Sequence, residues 1–91
     1  MSYIVRLEER AIQDIKELKK VGNKPAIVKI GKLLEELRLH PTYGTGQVEA
    51  LKGNLSGLWS RRIDRFNRLI YTIEENVVTV TVISAKGHYD K

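Results

Sequence analysis

The sequence contains no cysteine, which excludes disulfide bonds, thiolate metal sites and cysteine nucleophiles. Two histidines alone are too few to build a metal site. Long hydrophobic runs are also missing: the longest strongly apolar run, residues 77–83, is far shorter than the roughly 20 residues that span a bilayer. The N-terminus lacks the apolar core of a secretory signal. We therefore expect a cytoplasmic protein that needs no membrane, metal or cofactor.

Positive charge is in excess, with 16 lysines and arginines against 11 acids and a net charge of +5. A basic protein favours anionic partners, with nucleic acid first, an acidic protein second and a membrane surface third. The densest basic stretch runs over residues 52–68, where Asp64 is the single acid. The cations of this stretch are Lys52, Arg61, Arg62, Arg65 and Arg68.

The first 40 residues have the pattern of one strand followed by two helices. Residues 3–7 alternate apolar and other side chains, which predicts a strand. Residues 8–21 carry apolar side chains at three- and four-residue spacing, with acids early and lysines late, which predicts an amphipathic helix. Asn23 is a good N-cap for a second helix that ends where His40 precedes a proline.

The second half reads as a glycine-containing loop followed by strands. Because the turns between the last three strands are short, those strands should form an antiparallel meander. The 91 residues then make one domain, residues 1–91, of the α+β class in the order β-α-α-β-β-β. We expect the two-helix hairpin to pack on one face of a mostly antiparallel sheet and to leave the other face open. The predicted ranges are a loop over 41–47, extended chain over 48–51, and strands over 58–64, 68–74 and 77–84.

The open face is where function is expected, and side-chain alternation assigns residues to it. Ser60 and Arg62 share one face of their strand, whereas Trp59 and Ile63 lie on the core side with Arg61. Arg61 should then snorkel out or sit at an edge. Arg62 should project onto the open face near Arg68, where two guanidinium groups would bind phosphate. The same stretch also fits a solvated strand with surface arginines.

Metal-free cleavage of RNA requires a base, cations for the phosphorane charge, an acid and a group that orients the substrate. Glu49, His88 and Tyr89, together with the arginines, have the chemistry for these tasks. Taken singly, Glu49 also fits an exposed loop residue and His88 an exposed tail residue. Spacing does not show that they converge. The residues alone indicate a basic α+β domain that binds nucleic acid or an acidic protein, with a candidate nuclease site.

Four elements of the sequence together resemble the YoeB/Txe family of bacterial toxins in the RelE/ParE superfamily. They are Glu49 before Leu-Lys, the run NLSGLWSRRI over residues 54–63, Arg68 before Leu-Ile-Tyr, and the pair His88 and Tyr89. The resemblance covers residues 44–89 well and the first 43 residues in pattern only. It implies a RelE-like, microbial-ribonuclease-like fold.

The resemblance also implies an activity: a type II toxin that cleaves mRNA in the ribosomal A site by attack of the ribose 2′-oxygen. It assigns Glu49 as general base, Arg68 as transition-state stabiliser, His88 as general acid and Tyr89 as the group that orients the substrate. Contacts to RNA or phosphate are expected from the other cations of the basic stretch, Lys52, Arg61, Arg62 and Arg65.

The partners that the resemblance implies are the ribosome with its mRNA, a cognate antitoxin of the YefM/Axe type, and a second copy in a homodimer. Two rival functions stay open: a ParE-like gyrase poison, and a non-catalytic basic domain that binds RNA or protein. The sequence departs from the family's best-known member in the turn DRFN, residues 64–67, and in Asp90 and Lys91, which extend beyond Tyr89.

Overall fold

The computed structural model describes residues 2–75 and 79–86. No helix within these residues is long and apolar enough to cross a membrane. The order of elements confirms the α+β prediction, and β4 has the bounds that the sequence predicted. The elements are β1 (Ile4–Leu7), α1 (Glu9–Lys20), α2 (Lys24–Leu39), β2 (Glu49–Ala50), a 3-10 turn (Gly53–Leu55), β3 (Trp59–Arg62), β4 (Arg68–Glu74) and β5 (Thr79–Ser84).

The second helix begins and ends at the predicted residues for identifiable reasons. The Asn23 side-chain oxygen accepts a hydrogen bond from the Ala26 amide at 3.2 Å, which satisfies one of the unpaired amides of the first turn. A proline stands within that turn, where its missing N–H costs nothing. At the other end His40 leaves the helical conformation directly before Pro41, as the residue before a proline tends to do.

The sheet has five strands in the order β1-β5-β4-β3-β2. The predicted antiparallel meander is confirmed, because β3 pairs with β4 and β4 with β5 in that orientation. Strand β2 adds to the outer edge of β3, also antiparallel. Strand β1 pairs with β5 in parallel. The two helices carry the chain from β1 at one edge of the sheet to β2 at the other edge, and the meander then leads back to β5.

One core lies between the helices and the sheet. Leu33 and Leu37 of α2 are fully buried against Leu69 and Tyr71 of β4, which are also fully buried. Burying a leucine side chain stabilises the fold by about 1.5–3 kcal/mol, so this layer accounts for the packing of the helix hairpin on the sheet. The side chains of β4 that flank Leu69 and Tyr71 along the strand must therefore face away from the helices.

Candidate active site

A row of side chains crosses the sheet on the face opposite the helices. Glu49 is the direct cross-strand partner of Ser60, Ser60 of Ile70, and Ile70 of Ser84. Directly opposed residues project on the same side of a sheet with Cβ atoms about 4.5–5.5 Å apart. Because Ile70 lies between two core-facing residues of β4, the whole row points away from the core. Glu49, at the exposed end of the row, is solvent-accessible.

Two arginines extend this face next to the row. Arg62 and Arg68 are direct cross-strand partners, and each lies two positions from a member of the row, Ser60 and Ile70 respectively. Both side chains are half-buried, and the Arg62 Nε atom donates to the Asp64 carbonyl oxygen at 3.3 Å. The expected proximity of Arg62 and Arg68 is confirmed, while their role in binding phosphate stays a prediction.

A groove runs from Glu49 to Leu55, with a volume of about 440 Å³. Its walls are β2, the segment that follows and the 3-10 turn. Lys52 is exposed on this wall, so an ammonium group and the Glu49 carboxylate border the same space. The groove therefore combines a carboxylate with a nearby cation, which is a suitable environment for a phosphodiester.

Arg61 is placed differently from the expectation, because its side chain neither snorkels nor contacts solvent. It is 0% exposed, and its guanidinium group points to the helix side of the sheet. Its Nη1 atom forms an ion pair with Glu36 Oε1 of α2 at 2.8 Å. The prediction that Arg61 contacts RNA is therefore wrong for this conformation, since all its donors are turned inward and engaged.

The remaining donors of Arg61 bind the segment of residues 40–47, which we call the 40–47 loop. Nη2 donates to the carbonyl oxygens of His40 at 2.7 Å and Tyr43 at 2.9 Å, and Nη1 to that of Thr45 at 3.4 Å. Nε donates to the Tyr71 hydroxyl oxygen at 3.2 Å. One buried cation thus fixes three carbonyl groups of a loop that has no regular secondary structure.

Glu36 and Tyr71 complete this arrangement from the other side. Glu36 Oε1 also accepts from the Thr45 amide at 2.8 Å, and the Tyr71 hydroxyl donates to the Pro41 carbonyl oxygen at 2.7 Å. Burial by itself raises the pKa of Glu36, but the hydrogen bonds from Thr45 and Arg61 outweigh it and hold that pKa below its usual value. Burial raises the pKa of Tyr71 despite the nearby guanidinium, so its hydroxyl stays protonated at neutral pH.

Arg65 lies on the turn between β3 and β4. It is exposed, and its guanidinium carbon lies 5.3 Å from the centroid of the Phe66 ring. Asp64 organises the turn: its Oδ1 atom accepts from the Phe66 and Asn67 amides, each at 2.9 Å. Burial alone raises the pKa of Asp64, but these hydrogen bonds outweigh burial and hold the pKa below its usual value. The DRFN sequence therefore makes a well-bonded turn beside the arginine pair.

His88 and Tyr89, like Asp90 and Lys91, lie outside the described residues. The described chain ends shortly after Ser84, which belongs to the row that contains Glu49. The next residue, Ala85, is fully buried and its amide donates to Asp14 Oδ2 of α1 at 3.0 Å. These contacts hold the end of β5 in place next to Ser84.

Sequence reasoning missed two features of this region. Ser60 is 0% exposed, and its hydroxyl makes no hydrogen bond to any residue in the described part of the chain. Strand alternation had placed Ser60 on the open face but gave no sign that it would be covered. The contacts of Arg61 with Glu36 and Tyr71 span 25 and 10 residues of sequence, and no local sequence pattern predicts them. Within the described residues, no three histidine or acidic side chains are grouped to hold a metal ion.

Comparison with known proteins agrees with this fold. A family model described as the YoeB-like toxin of bacterial type II toxin-antitoxin systems matches residues 7–89. Toxin YoeB of Synechocystis is 39% identical over 70 residues, which cover 77% of this chain and 79% of that protein. The YoeB dimer from Staphylococcus aureus has a TM-score of 0.81 at 32% identity, covering 98% of this chain and 100% of that one.

A second solved structure, the heterotetrameric YoeB-YefM toxin-antitoxin complex from Staphylococcus aureus, has a TM-score of 0.78 at 33% identity and covers 98% of this chain and 100% of that one. The match over residues 7–89 includes every element of the sequence that carried the resemblance. The predicted RelE-like fold and the predicted family are therefore both confirmed. This chain belongs to the YoeB-like toxins of bacterial type II toxin-antitoxin systems, in the RelE/ParE superfamily.

Proposed function

We propose that this toxin is an endoribonuclease that cuts mRNA in the ribosomal A site and thereby stops translation. The observation that carries the proposal is the placement of Glu49, Arg62 and Arg68 on the sheet face opposite the helices. A carboxylate beside two guanidinium groups is what the attack of a 2′-oxygen on a phosphodiester requires. The family assignment supports the same activity.

The reaction proceeds in one displacement at phosphorus. The Glu49 carboxylate takes the proton of the ribose 2′-hydroxyl, and the 2′-oxygen forms a bond to phosphorus. The bond from phosphorus to the 5′-oxygen breaks, and His88 protonates that leaving oxygen. The products are a 2′,3′-cyclic phosphate and a free 5′-hydroxyl. Arg62 and Arg68 stabilise the negative charge that builds on the phosphorane oxygens.

The assignment of His88 as the acid is compatible with the length of chain that connects it to the sheet. His88 follows Ser84 by four residues, and four extended residues span at most about 14 Å. Strands lie about 4.8 Å apart, so Ser60, two strands from Ser84, is about 10 Å away along the row. An acid on residue 88 is within covalent reach of a phosphate seated over this row.

Dependence on the ribosome is proposed from the family assignment, and the shape of the site is compatible with it. The groove beside Glu49 is lined by one short stretch of chain, residues 49–55, and Lys52 is its one basic side chain. With so few cations we expect this groove to hold free RNA weakly and not to align the 2′-oxygen with phosphorus by itself. A ribosome that holds mRNA in the required conformation supplies that alignment, which is worth many powers of ten in rate. Lys52 and the exposed Arg65 are proposed to contact RNA backbone.

The partners follow from the charge and from the relatives. The Staphylococcus aureus YoeB of similar fold is found both as a dimer and in a complex with YefM. We propose that this toxin likewise forms a homodimer and is inhibited by an antitoxin of the YefM type. A net charge of +5 favours an acidic inhibitor segment. Action on translating ribosomes also means action in the cytoplasm.

The test is a cell-free translation reaction in which new 3′ ends of the mRNA are mapped by primer extension. The purified protein, its His88→Ala variant and a reaction without ribosomes are compared. Cuts within the A-site codon that need both the ribosome and His88 are expected. Intact mRNA with arrested DNA supercoiling would instead indicate a gyrase poison, and RNA binding without cuts would indicate a non-catalytic domain.

A further inference from the structure

The buried guanidinium of Arg61 has a contact for each of its N–H groups. An arginine carries five N–H donors in a fixed plane, and Arg61 makes five hydrogen bonds. Three of the acceptors are carbonyl oxygens of the 40–47 loop, and the other two are Glu36 and Tyr71. Because the guanidinium group is wholly buried, water cannot replace these partners. The N–H groups of Arg61 and the carbonyl oxygens of the loop therefore keep their hydrogen bonds only while both are in place.

The 40–47 loop depends on this contact because its backbone has little regular structure of its own. Gly44, Gly46 and Gln47 have positive φ angles of 130°, 95° and 51°, respectively. At Gly44 a Cβ atom would lie 2.5 Å from Glu36 Oε1, so the loop is pressed directly against the ion pair. A loop with this backbone has few ways to order itself without side chains from outside.

The far end of the loop is continuous with Glu49. The Gly46 carbonyl oxygen accepts from the Arg62 amide, and three residues later Glu49 pairs with Ser60. The loop side advances three residues while β3 advances two, so one extra residue is present, as in a β-bulge. Bulges re-aim the side chains beside them.

Strand β2 is too short to hold this position by its own ladder. It contains two residue pairs, Glu49 with Ser60 and Ala50 with Trp59, followed by a hydrogen bond from the Leu51 amide to the Leu58 carbonyl oxygen. Only two residues separate Gly46 from Glu49, so a displacement of the loop at Gly46 would move Glu49 as well. Errors of about 1 Å in the placement of a reacting group can cost a hundredfold in rate.

We propose that Arg61, together with Glu36 and Tyr71, is a set of positioning residues that fixes the 40–47 loop and through it the Glu49 carboxylate. The catalytic consequence rests on the proposed function, whereas the structural part does not. Arg61 acts from the helix side of the sheet and touches no substrate. The two adjacent arginines of β3 thus have different tasks: Arg62 faces the substrate, and Arg61 orders the loop that positions the general base Glu49.

The test compares Arg61→Lys and Tyr71→Phe with the core variant Ile30→Val. Lysine keeps the positive charge, but its ammonium group has three N–H donors and lacks the planar geometry of a guanidinium group. It therefore cannot bind all five acceptors. Phenylalanine removes only the hydroxyl that joins Arg61 to Pro41. Ile30 is buried in the helix layer and shortening it by one methylene controls for loss of stability.

Two quantities are measured for each variant. The first is single-turnover cleavage on programmed ribosomes, with affinity taken separately from an mRNA that has a 2′-deoxy nucleotide at the cut site. The second is amide hydrogen exchange over residues 41–51. Arg61→Lys should lower the cleavage rate about tenfold or more with affinity changed less than about twofold, and Tyr71→Phe should lower it about threefold. Exchange at Thr45, Glu49 and Leu51 should quicken in both, whereas Ile30→Val should leave rate and loop exchange unchanged.

The proposal is overturned if exchange at Glu49 is unchanged in Arg61→Lys and Tyr71→Phe, or if Ile30→Val slows cleavage as much at the same loss of Tm. Should the wild-type protein not cut mRNA at all, the proposed function fails, and hydrogen exchange alone then decides whether the loop is held by Arg61. Tyr71→Phe keeps the test decisive if the lysine variant does not fold.

Discussion

Arg62 of β3 and Arg68 of β4 are direct cross-strand partners on the sheet face opposite the helices. Like charges directly opposed on a sheet are destabilising, by a few tenths of a kcal/mol to about 1 kcal/mol. The fold thus places two cations side by side next to the row that contains Glu49. The phosphate that we propose to bind there would contact both guanidinium groups at once.

The first prediction concerns this pair. Arg62→Gln should lower the free energy of unfolding by less than about 1 kcal/mol, because it removes the hydrogen bond from Arg62 Nε to the Asp64 carbonyl oxygen. Cleavage on ribosomes should fall by about a hundredfold, as is typical when one donor to a developing oxyanion is removed. Urea unfolding and single-turnover cleavage measure the two effects.

The control for Arg62→Gln is Lys32→Gln, which removes one positive charge from an exposed position of α2. It should leave the cleavage rate within about twofold. Equal losses of rate in the two variants would mean that total charge matters and the arginine pair does not.

The second prediction uses the pKa of Glu36, which burial raises and which the hydrogen bonds from Thr45 and Arg61 lower below its usual value. A carboxyl whose folded pKa is depressed contributes stability above its unfolded pKa, about 4.3, and loses it as the pH falls through the folded pKa. Wild-type stability should therefore drop more steeply than that of Glu36→Gln as the pH falls below about 4.3.

Urea unfolding between about pH 3 and pH 7 measures this difference. Asp64, whose pKa is also lowered, is present in both proteins, so its contribution cancels from the difference. At neutral pH Glu36→Gln should be the less stable protein, because a buried arginine loses its ion pair. Parallel pH curves for the two proteins would show that Glu36 is not held in its charged form by the loop.

The third prediction concerns two glycines. At Gly46, where φ is +95°, a Cβ atom would lie 2.9 Å from the Arg62 carbonyl oxygen, so Gly46→Ala should destabilise the protein by about 1–3 kcal/mol. At Gly31, within α2, a Cβ atom would meet nothing within 4 Å, so Gly31→Ala should stabilise it by about 0.5–1 kcal/mol. Thermal unfolding measures both, and a tolerated Gly46→Ala would contradict the close approach of the loop to β3.

The fourth prediction concerns the turn that joins β3 to β4. Asp64→Ala removes the oxygen that accepts from the Phe66 and Asn67 amides and should cost about 1–2 kcal/mol. Asp64→Asn keeps an oxygen in place of Oδ1 and should cost less than half as much. If the two substitutions are equally destabilising, the charge of Asp64 matters more than its hydrogen bonds to the turn.

The helices and strands were predictable because local signals agree with the tertiary structure. Asn23 caps α2 and the chain leaves the helix before Pro41, both by chemistry that acts within a few residues. Alternation in β3 put Arg62 on the open face, and Arg68 was expected near it at the start of the next strand; the strand register confirms that the two are neighbours. The prediction did not include the parallel pairing of β1 with β5, since such pairing depends on a crossover and leaves no local mark.

Arg61 is where sequence reasoning failed, and the cause is physical. Alternation correctly placed it on the core side, where a charged side chain normally snorkels toward water. Its partners Glu36 and Tyr43 are 25 and 18 residues away and reach it only after α2 and the 40–47 loop have folded over β3. A buried cation with a full set of acceptors is a property of the assembled structure that no single stretch of sequence contains.

Single-turnover cleavage on ribosomes of an mRNA with one 2′-deoxy nucleotide at the A-site cut, beside the unmodified mRNA and a Glu49→Gln protein, decides whether Glu49 activates the ribose 2′-oxygen. We expect the wild-type protein to cut the unmodified mRNA to a 2′,3′-cyclic phosphate. The 2′-deoxy substitution and Glu49→Gln should each abolish the cut. Cleavage of the 2′-deoxy mRNA at the same position, or full activity of Glu49→Gln, would contradict this mechanism.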